Sequence, residues 1–362
     1  MTIRSNNCVF TGRCLATTSG IASLATGQGD VSTSTKRGRR HKAACGSPLT
    51  KRAARLFHAR SESTRSATII GVPLELGASR RGARLGPHVL RTAGLRQQLE
   101  KLGYTVADAG DVAVPVDESE PPGGPGHPKH VPPVVAANRA IANAVEAAMR
   151  AESYPVVIGG DHSMAIGVIA GVARVKGVQG VIWIDAHADL NTPEGSPTGN
   201  LHGMSMAAAL GLMSDVFPPA EFPTPAAAFD RLVFIGLRDV DPTERAVIHQ
   251  HGIKCFTMTD VDRLGMGDVV EQAITIAGRG PGSVHISFDI DCLDPSFAPG
   301  TGTPVPGGIT YREAHLAMEL IAESGVANSL ELSEVNPLLD EHDRTAAIAN
   351  ELICSALGKR IL

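Results

Sequence analysis

Directly after the apolar run "VIW", the stretch "IDAHADLNTP" (184–193) sets Asp185, His187 and Asp189 at alternate positions. Aspartate and histidine are metal-ligand chemistry, and residues two apart share a face where the backbone is extended. Alone, the pattern reads equally well as the solvated end of a strand. Four other apolar runs end in the same way. "VVIGG" runs into Asp161, His162 and Ser163, "VFIGLR" into Asp239 and Asp241, "VHISF" into Asp289 and Asp291, and "SLELS" into Glu334. Singly these also have ordinary readings, since Asp161 and Ser163 are common helix N-caps. Brought together, so many carboxylates would suffer like-charge repulsion and desolvation, and a cation is the simplest relief.

The donor types narrow the cation. Asp185, Asp189, Asp289 and Asp291 supply carboxylates, and His162 and His187 supply imidazoles. An oxygen-dominated set with some nitrogen favours Mn(II) over Zn(II), which prefers tetrahedral sites rich in nitrogen and sulfur. Four carboxylates balance two divalent ions. Two such ions about 3.5–4 Å apart would hold a bridging water and lower its pKa, which makes hydrolysis the expected chemistry.

For these residues to meet, the runs that carry them must end on one edge. "ATIIGVP" (67–73), "YPVVIGG", "VQGVIWIDAH", "RLVFIGLRD", "SVHISFDID" and "NSLELSEVNP" read as short, nearly continuous apolar strands. Helical segments separate most of them. "GPHVLRTAGLRQQLEKLG" reads as one helix opened by Pro87, with Leu95, Leu99 and Leu102 on one face and Gly103 at its end. The run "DVAVPV" follows, and "VVAANRAIANAVEAAMRA" reads as another helix, with Ile141, Val145 and Met149 on a stripe. Alternating strand and helix implies an α/β fold, a three-layer α/β/α arrangement around a mainly parallel sheet. In such sheets the ligand crevice lies at the carboxyl ends of the strands. "DESEPPGGPGHPKHVPP" and "FPPAEFPTP" read as loops, the first of them mobile. Trp183 and Cys292 read as core packing. No internal repeat and no second globular domain is visible.

Residues 1–66 are a different kind of polymer. They hold 12 Lys/Arg against only Asp30 and Glu62, so the net charge of −4 conceals a strongly acidic remainder. This stretch is Ser/Thr/Arg-rich, acid-poor and without periodicity, apart from a possible short basic amphipathic helix in "LTKRAARLFHARS". It reads as a disordered segment whose composition fits an organelle transit peptide, mitochondrial or plastid, ahead of a catalytic domain spanning 67–362. The other readings are an uncleaved basic tail, which would leave the protein cytoplasmic, or an arm that sticks loosely to nucleic acid. No aromatic interleaving favours specific nucleic-acid binding, and no run of 18 apolar residues suggests a membrane helix. Six scattered cysteines without a C-x-x-C pair argue against a zinc knuckle or disulfide scaffold and for a reducing compartment.

"GGDHS", "DAHADLNTP", "GNLHG", "SFDIDCLDP", "GTGTPVPGG" and "EVNP", in this order from about Thr68 to the C-terminus, resemble the ureohydrolases and, within them, the arginase family. The resemblance implies an arginase-like fold and two Mn(II) ions. One would be held by His162, Asp185, Asp189 and Asp289, the other by His187, Asp185, Asp289 and Asp291, with Asp185 and Asp289 bridging. It implies attack on a guanidinium carbon, with His202 as proton shuttle and Glu334 pairing with the guanidinium. It also implies L-arginine as substrate, its α-carboxylate met by Asn191, Thr198 and Asn200, its α-amino group by Asp241, and Thr303 bordering the crevice. Thr198 departs from the serine often found there, keeping the hydroxyl. "TYRE", with Arg312, matches a subunit-contact segment of trimeric arginases, so a homotrimer (or hexamer) is implied, with no nucleic acid or membrane partner.

Competing readings are an agmatinase or other guanidino-substrate ureohydrolase, a zinc deacetylase of the histone deacetylase type with a single metal set, and an inert guanidinium-binding sensor. As plain sequence, "NTPEGSPTGN" is also a turn-rich loop, "TYRE" a helix start, and a lone histidine such as His202 more often structural than catalytic.

Overall fold

The computed structural model describes residues 65–362. The transit-peptide reading and the amphipathic helix of "LTKRAARLFHARS" therefore lie outside the described residues, apart from the last two positions of the 1–66 segment. Eight strands form one sheet: β1 (Arg65–Val72), β2 (Tyr104–Asp111), β3 (Tyr154–Gly159), β4 (Gln179–Ile184), β5 (Ala227–Leu237), β6 (Lys254–Thr257), β7 (Val284–Asp289) and β8 (Ala327–Ser333). Their order is β2-β1-β3-β8-β7-β4-β5-β6. All seven pairings are parallel, so the sheet is wholly rather than mainly parallel.

Both faces of the sheet are covered. On one, Ile69, Ile158, Ile184, Ile235, Phe288 and Leu332 pack against α1 (Gly86–Thr92), α2 (Leu95–Lys101) and the later helices α8 (Met266–Ala277), α9 (Tyr311–Ser324) and α10 (Arg344–Ala356). On the other, Val72 and Val157 meet α3 (Val131–Arg150) and α4 (Ala165–Lys176), while Trp183 and Phe234 meet α4 and α5 (Ser205–Ala209). Two short helices, α6 (Pro242–His251) and α7 (Met258–Leu264), flank β6. No helix among the described residues is long and apolar enough to cross a membrane.

Several details depart from the sequence reading. The single helix expected over 86–103 is two, interrupted at Gly94, whose φ is 84°. Pro132 and Pro133 lie in the first turn of α3, where proline's missing N–H is no loss. Strands β2 and β6 were not singled out by pattern. They are the edges of the sheet, and in β2 only Val106 is buried, so neither has an apolar run to show. The central strands β7 and β8 are not continuously apolar. One face of each is greasy, and the other carries His285, Ser287 and Asp289 beside Ser329, Glu331 and Ser333, all buried. A polar stripe thus runs through the interior toward the carboxyl edge.

Candidate metal centre

The residues singled out in the sequence follow neighbouring strands. His162 follows β3, Glu334 follows β8, Asp289 ends β7 with Asp291 just beyond, and Asp185 to Asp189 follow β4. Asp239 and Asp241 follow β5, the next strand along. Level registers, such as Ile184 beside Phe288 and Asp289 beside Ser333, bring these ends to one place. Gly160 lets the chain turn there: a Cβ would come within 1.8 Å of the Leu74 carbonyl oxygen. Asp161 is a structural cap. Its carboxylate accepts from the Gly77 amide at 2.8 Å, from the Ser163 amide at 3.0 Å and from the Ser163 hydroxyl.

The alternation of Asp185, His187 and Asp189 is not the face of a strand. Strand β4 stops at Ile184, the next residues bend, and Asp189 has φ 50°. The three side chains still converge, through a tight bend. His162 Nδ1 lies 3.1 Å from Asp185 Oδ2, 3.2 Å from Asp189 Oδ2 and 3.0 Å from Asp289 Oδ2. On the other side, His187 Nδ1 lies 3.5 Å from Asp185 Oδ1 and 3.1 Å from Asp291 Oδ2. Asp185 thus turns one oxygen to each group. Asp289 reaches the first group through Oδ2, while its Oδ1 accepts the Asp291 amide at 2.8 Å.

These residues fit metal ions. His162 Nδ1 is buried and has no hydrogen-bond partner, although three carboxylate oxygens face it. One ring nitrogen cannot serve three acceptors with one proton, whereas a cation among them can. His162–Asp185–Asp189 and Asp185–His187–Asp291 each place three potential donor atoms within 4.8 Å of one another. Burial, with Asp291 and Asp185 adding repulsion, pushes the Asp289 carboxyl well above its ordinary range. Burial and Asp185 push Asp189 up to about 6. For Asp185 burial acts the same way, but the close approach of the His162 and His187 rings outweighs it and holds the carboxyl low. A metal-deacetylase arrangement with one ligand set does not match two groups that share Asp185.

The ligands are held from behind. His162 stacks on Trp183, with ring centroids 4.1 Å apart, and its Nε2 meets Ser287 Oγ at 2.7 Å. Trp183 Nε1 donates to Asp185 Oδ2 at 2.9 Å. Thr303 Oγ1 donates to Asp291 Oδ2 at 3.0 Å, so this residue of the "GTGTPVPGG" loop contacts a ligand. Arg238 Nη2 donates to the carbonyls of Asp291 and Val305, each at 2.7 Å, tying that loop to the site. Cys292 is buried in the core as expected. Partners such as these direct and tune metal ligands. Sequence pattern marks Trp183 as packing alone and does not single out Ser287. The i, i+2 spacing of Ser287 from Asp289 on one strand is the signal that could have found it.

Beside the ligands lies a cavity of about 140 Å³, lined by His187, Asp189, Asp289 and Asp291, by His202 and Thr303, and by Asn191, Thr198, Asn200, Asp239 and Asp241. His202 Nδ1 is 3.0 Å from Glu334 Oε1. Burial alone would lower the His202 pKa, but the Glu334 hydrogen bond raises it to about 9. Glu334 is lowered in turn, its hydrogen bond to His202 overcoming burial, and it also accepts the His162 amide at 2.9 Å. Asn191 and Asp241, expected to meet opposite groups of a substrate, are bonded to each other: Asn191 Nδ2 donates to Asp241 Oδ2 at 2.8 Å. Glu244, missed in the sequence, also lines the cavity. It closes a capping box with Asp241 and accepts the Leu190 amide at 2.9 Å, and burial pushes its carboxyl up to about 7. "DPTE" carries that signal.

This geometry has relatives. The profile described as "Arginase family" matches residues 65–358. The arginase of Bacillus caldovelox is 45% identical over 295 residues, which is 82% of this chain and 99% of that protein. The chain belongs to the arginase family. It is accordingly a hydrolase with an arginase-like α/β fold. The crystal structure of native arginase from Bacillus caldovelox superposes with a TM-score of 0.79 at 44% identity, covering 82% of this chain and 100% of that one. A hypothetical agmatinase from Burkholderia thailandensis is more distant within the fold, at 26% identity and TM-score 0.63, covering 81% of this chain and 85% of that one.

Proposed function

We propose that the protein hydrolyses L-arginine to L-ornithine and urea, using two Mn(II) ions per subunit. The observation that carries the reading is one cavity lined both by four of the metal-type ligands, His187, Asp189, Asp289 and Asp291, and by the 191–200 and 239–241 segments. His162, Asp185, Asp189 and Asp289 would hold one ion, and His187, Asp185, Asp289 and Asp291 the other. When bound, the pair supplies Lewis acidity that makes water nucleophilic near neutral pH.

The remaining work falls to the chain. Glu334, kept ionised by His202, offers a carboxylate to the guanidinium. His202, whose pKa the Glu334 hydrogen bond raises to about 9, can hand a proton to the leaving amine. Asn191, Thr198 and Asn200 would meet the α-carboxylate, and Asp241 the α-amino group. Glu244, bonded to the Asp241 amide at 2.8 Å, holds that carboxylate's backbone in place. Agmatine lacks the carboxylate, so these donors would favour arginine.

The test is urea release from L-arginine and from agmatine, side by side, by the manganese-loaded full chain. Urea from arginine alone supports both the chemistry and the substrate. Urea mainly from agmatine keeps the chemistry and overturns the substrate. By resemblance we also read the protein as a homotrimer, which sedimentation of the full chain would test. Arg312 itself pairs with Glu319 of its own helix at 2.7 Å. From the composition of residues 1–66 we read it as an organellar protein.

A further inference from the structure

The Gly/Pro-rich stretch read from sequence as a mobile loop is bonded to the segment that faces the substrate. The Gly126 amide donates to the Pro193 carbonyl at 2.7 Å, and the Lys129 amide donates to the Gly199 carbonyl at 2.8 Å. The packing is close: a Cβ on Gly199 would lie 2.3 Å from the His127 carbonyl oxygen, and one on Gly123 would lie 2.1 Å from that of Thr198. Residues 123–129 therefore strap down residues 193–200.

One side chain of the strap reaches further. Lys129 Nζ lies 3.1 Å from Asn200 Oδ1 and 3.4 Å from Ser79 Oγ, and Ser79 Oγ donates to the same Asn200 oxygen at 3.0 Å. An ammonium group only donates, so the amide atom facing it must be the oxygen. That fixes which way Asn200 is flipped. Its Oδ1 is taken by two donors from behind, and its Nδ2 is left to donate elsewhere. Asn200 lines the cavity, whereas Lys129 does not. The neighbouring His130 pairs with Asp117 at 2.8 Å, but no ion pair among the described residues includes Lys129. A half-buried cation without an acidic partner thus bonds a cavity-lining amide from outside the lining.

We propose that Lys129 is a positioning residue for substrate specificity: it orients the Asn200 amide and adds positive charge, selecting guanidino substrates that carry a carboxylate. The inference rests on the proposed arginine hydrolysis and extends it to a residue outside the cavity wall. Lysine is suited to the role because its compact charge needs only one firm acceptor.

The test uses the full-length, manganese-loaded protein and the variants Lys129→Met and Lys129→Arg. Steady-state kinetics with L-arginine give KM and kcat separately. Calorimetry gives binding of L-ornithine and of putrescine, which differ by one carboxylate. Lys129→Met is expected to raise KM for arginine about tenfold with little change in kcat, as removal of one charge-assisted interaction would. It should weaken ornithine by a similar factor and leave putrescine unmoved, and Lys129→Arg should recover most of the loss. An unchanged ornithine-to-putrescine preference in Lys129→Met would overturn the proposal while leaving the reaction standing. Equal weakening of both ligands, with Lys129→Arg no better than Lys129→Met, would also overturn it and make Lys129 a loop support. No urea from arginine with the wild-type chain would remove the functional reading and this inference together.

Discussion

Trp183 offers a sharp test of how the metal ligands are held. It is the only tryptophan in the chain. Its ring stacks on His162 with an interplanar angle of 14°, and its Nε1 donates to Asp185 Oδ2 at 2.9 Å. Trp183→Phe keeps an aromatic ring against His162 and removes that one donor. A hydrogen bond to a charged group contributes about 1.5–3 kcal/mol. At about 1.4 kcal/mol per factor of ten, the variant should bind Mn(II) about 10- to 100-fold more weakly. The same range is expected when a metal ligand loses an outer hydrogen-bond partner. Asp185 faces both ligand groups, so binding at each group should be affected. The assay is competition for Mn(II) against a chelator of known affinity, with bound metal counted by atomic absorption. Far-UV circular dichroism checks that the fold survives. In the wild type, Trp183 emission should change as metal loads, because the indole lies against a ligand. Manganese bound as tightly by Trp183→Phe as by wild type would refute the reasoning and return Trp183 to packing alone.

Other perturbations reach different parts of the site. In Asp185→Asn an amide nitrogen must face either Trp183 Nε1–H or the His187 amide, both donors to the present carboxylate. Metal should be lost from both groups and urea release should fall to background; two retained equivalents by atomic absorption would contradict the shared role. His202→Asn should lower turnover about 10²- to 10⁴-fold, the usual contribution of a general acid or base, with metal content intact. That substitution also removes a pH-dependent contribution to stability. The folded His202 pKa is about 9, raised above the ordinary value of 6.5, so its pairing with Glu334 stabilises fully below pH 6.5. The contribution fades as pH rises through about 9. The Tm gap between wild type and His202→Asn should therefore shrink across that window, and a constant gap in thermal melts would exclude the pairing. Thr198→Ala removes the hydroxyl that accepts the Asn200 backbone N–H at 3.2 Å. It should narrow the preference for arginine over agmatine, measured as the ratio of kcat/KM values.

The parts of the site legible in the sequence are those whose residue type is itself unusual. Six metal-type ligands at the ends of apolar runs are improbable as core and incompatible as a bare cluster, so type and place sufficed. Their local geometry was less legible. Asp185, His187 and Asp189 suggested an extended face, yet the chain bends at 185–187, and Asp189 adopts positive φ while its carbonyl accepts the amides of Met206 and Ala207. Side chains that serve from behind were hidden by their ordinariness. Trp183 is core by burial and a donor by one atom, and Ser287 looks like any polar residue of a strand. The contacts of residues 123–129 were hidden because glycine and proline report a lack of regular structure, which says nothing of what the loop touches. Its bonds to Pro193 and Gly199 join residues far apart in sequence, which local pattern cannot show.

Two residues of the site carry backbone strain. Asp189 and Glu334 have φ of 50° and 62°, a region non-glycine residues avoid at a cost of about 1–3 kcal/mol each. Each is over-determined by its surroundings. Glu334 donates its amide to the Gly160 carbonyl at 2.8 Å while its carboxylate binds the His162 amide and the His202 ring. Relaxing Glu334 would break the turn that presents His162, and relaxing Asp189 would withdraw a carboxylate from it. The strain thus couples the first ligand group to the His202–Glu334 pair through one short stretch of backbone. Beneath them, His285 and Glu331 sit 3.3 Å apart in the polar stripe with no exposure at all. Apolar side chains there would pack at no electrostatic cost, so this edge of the sheet holds its chemistry against the preferences of both backbone and core.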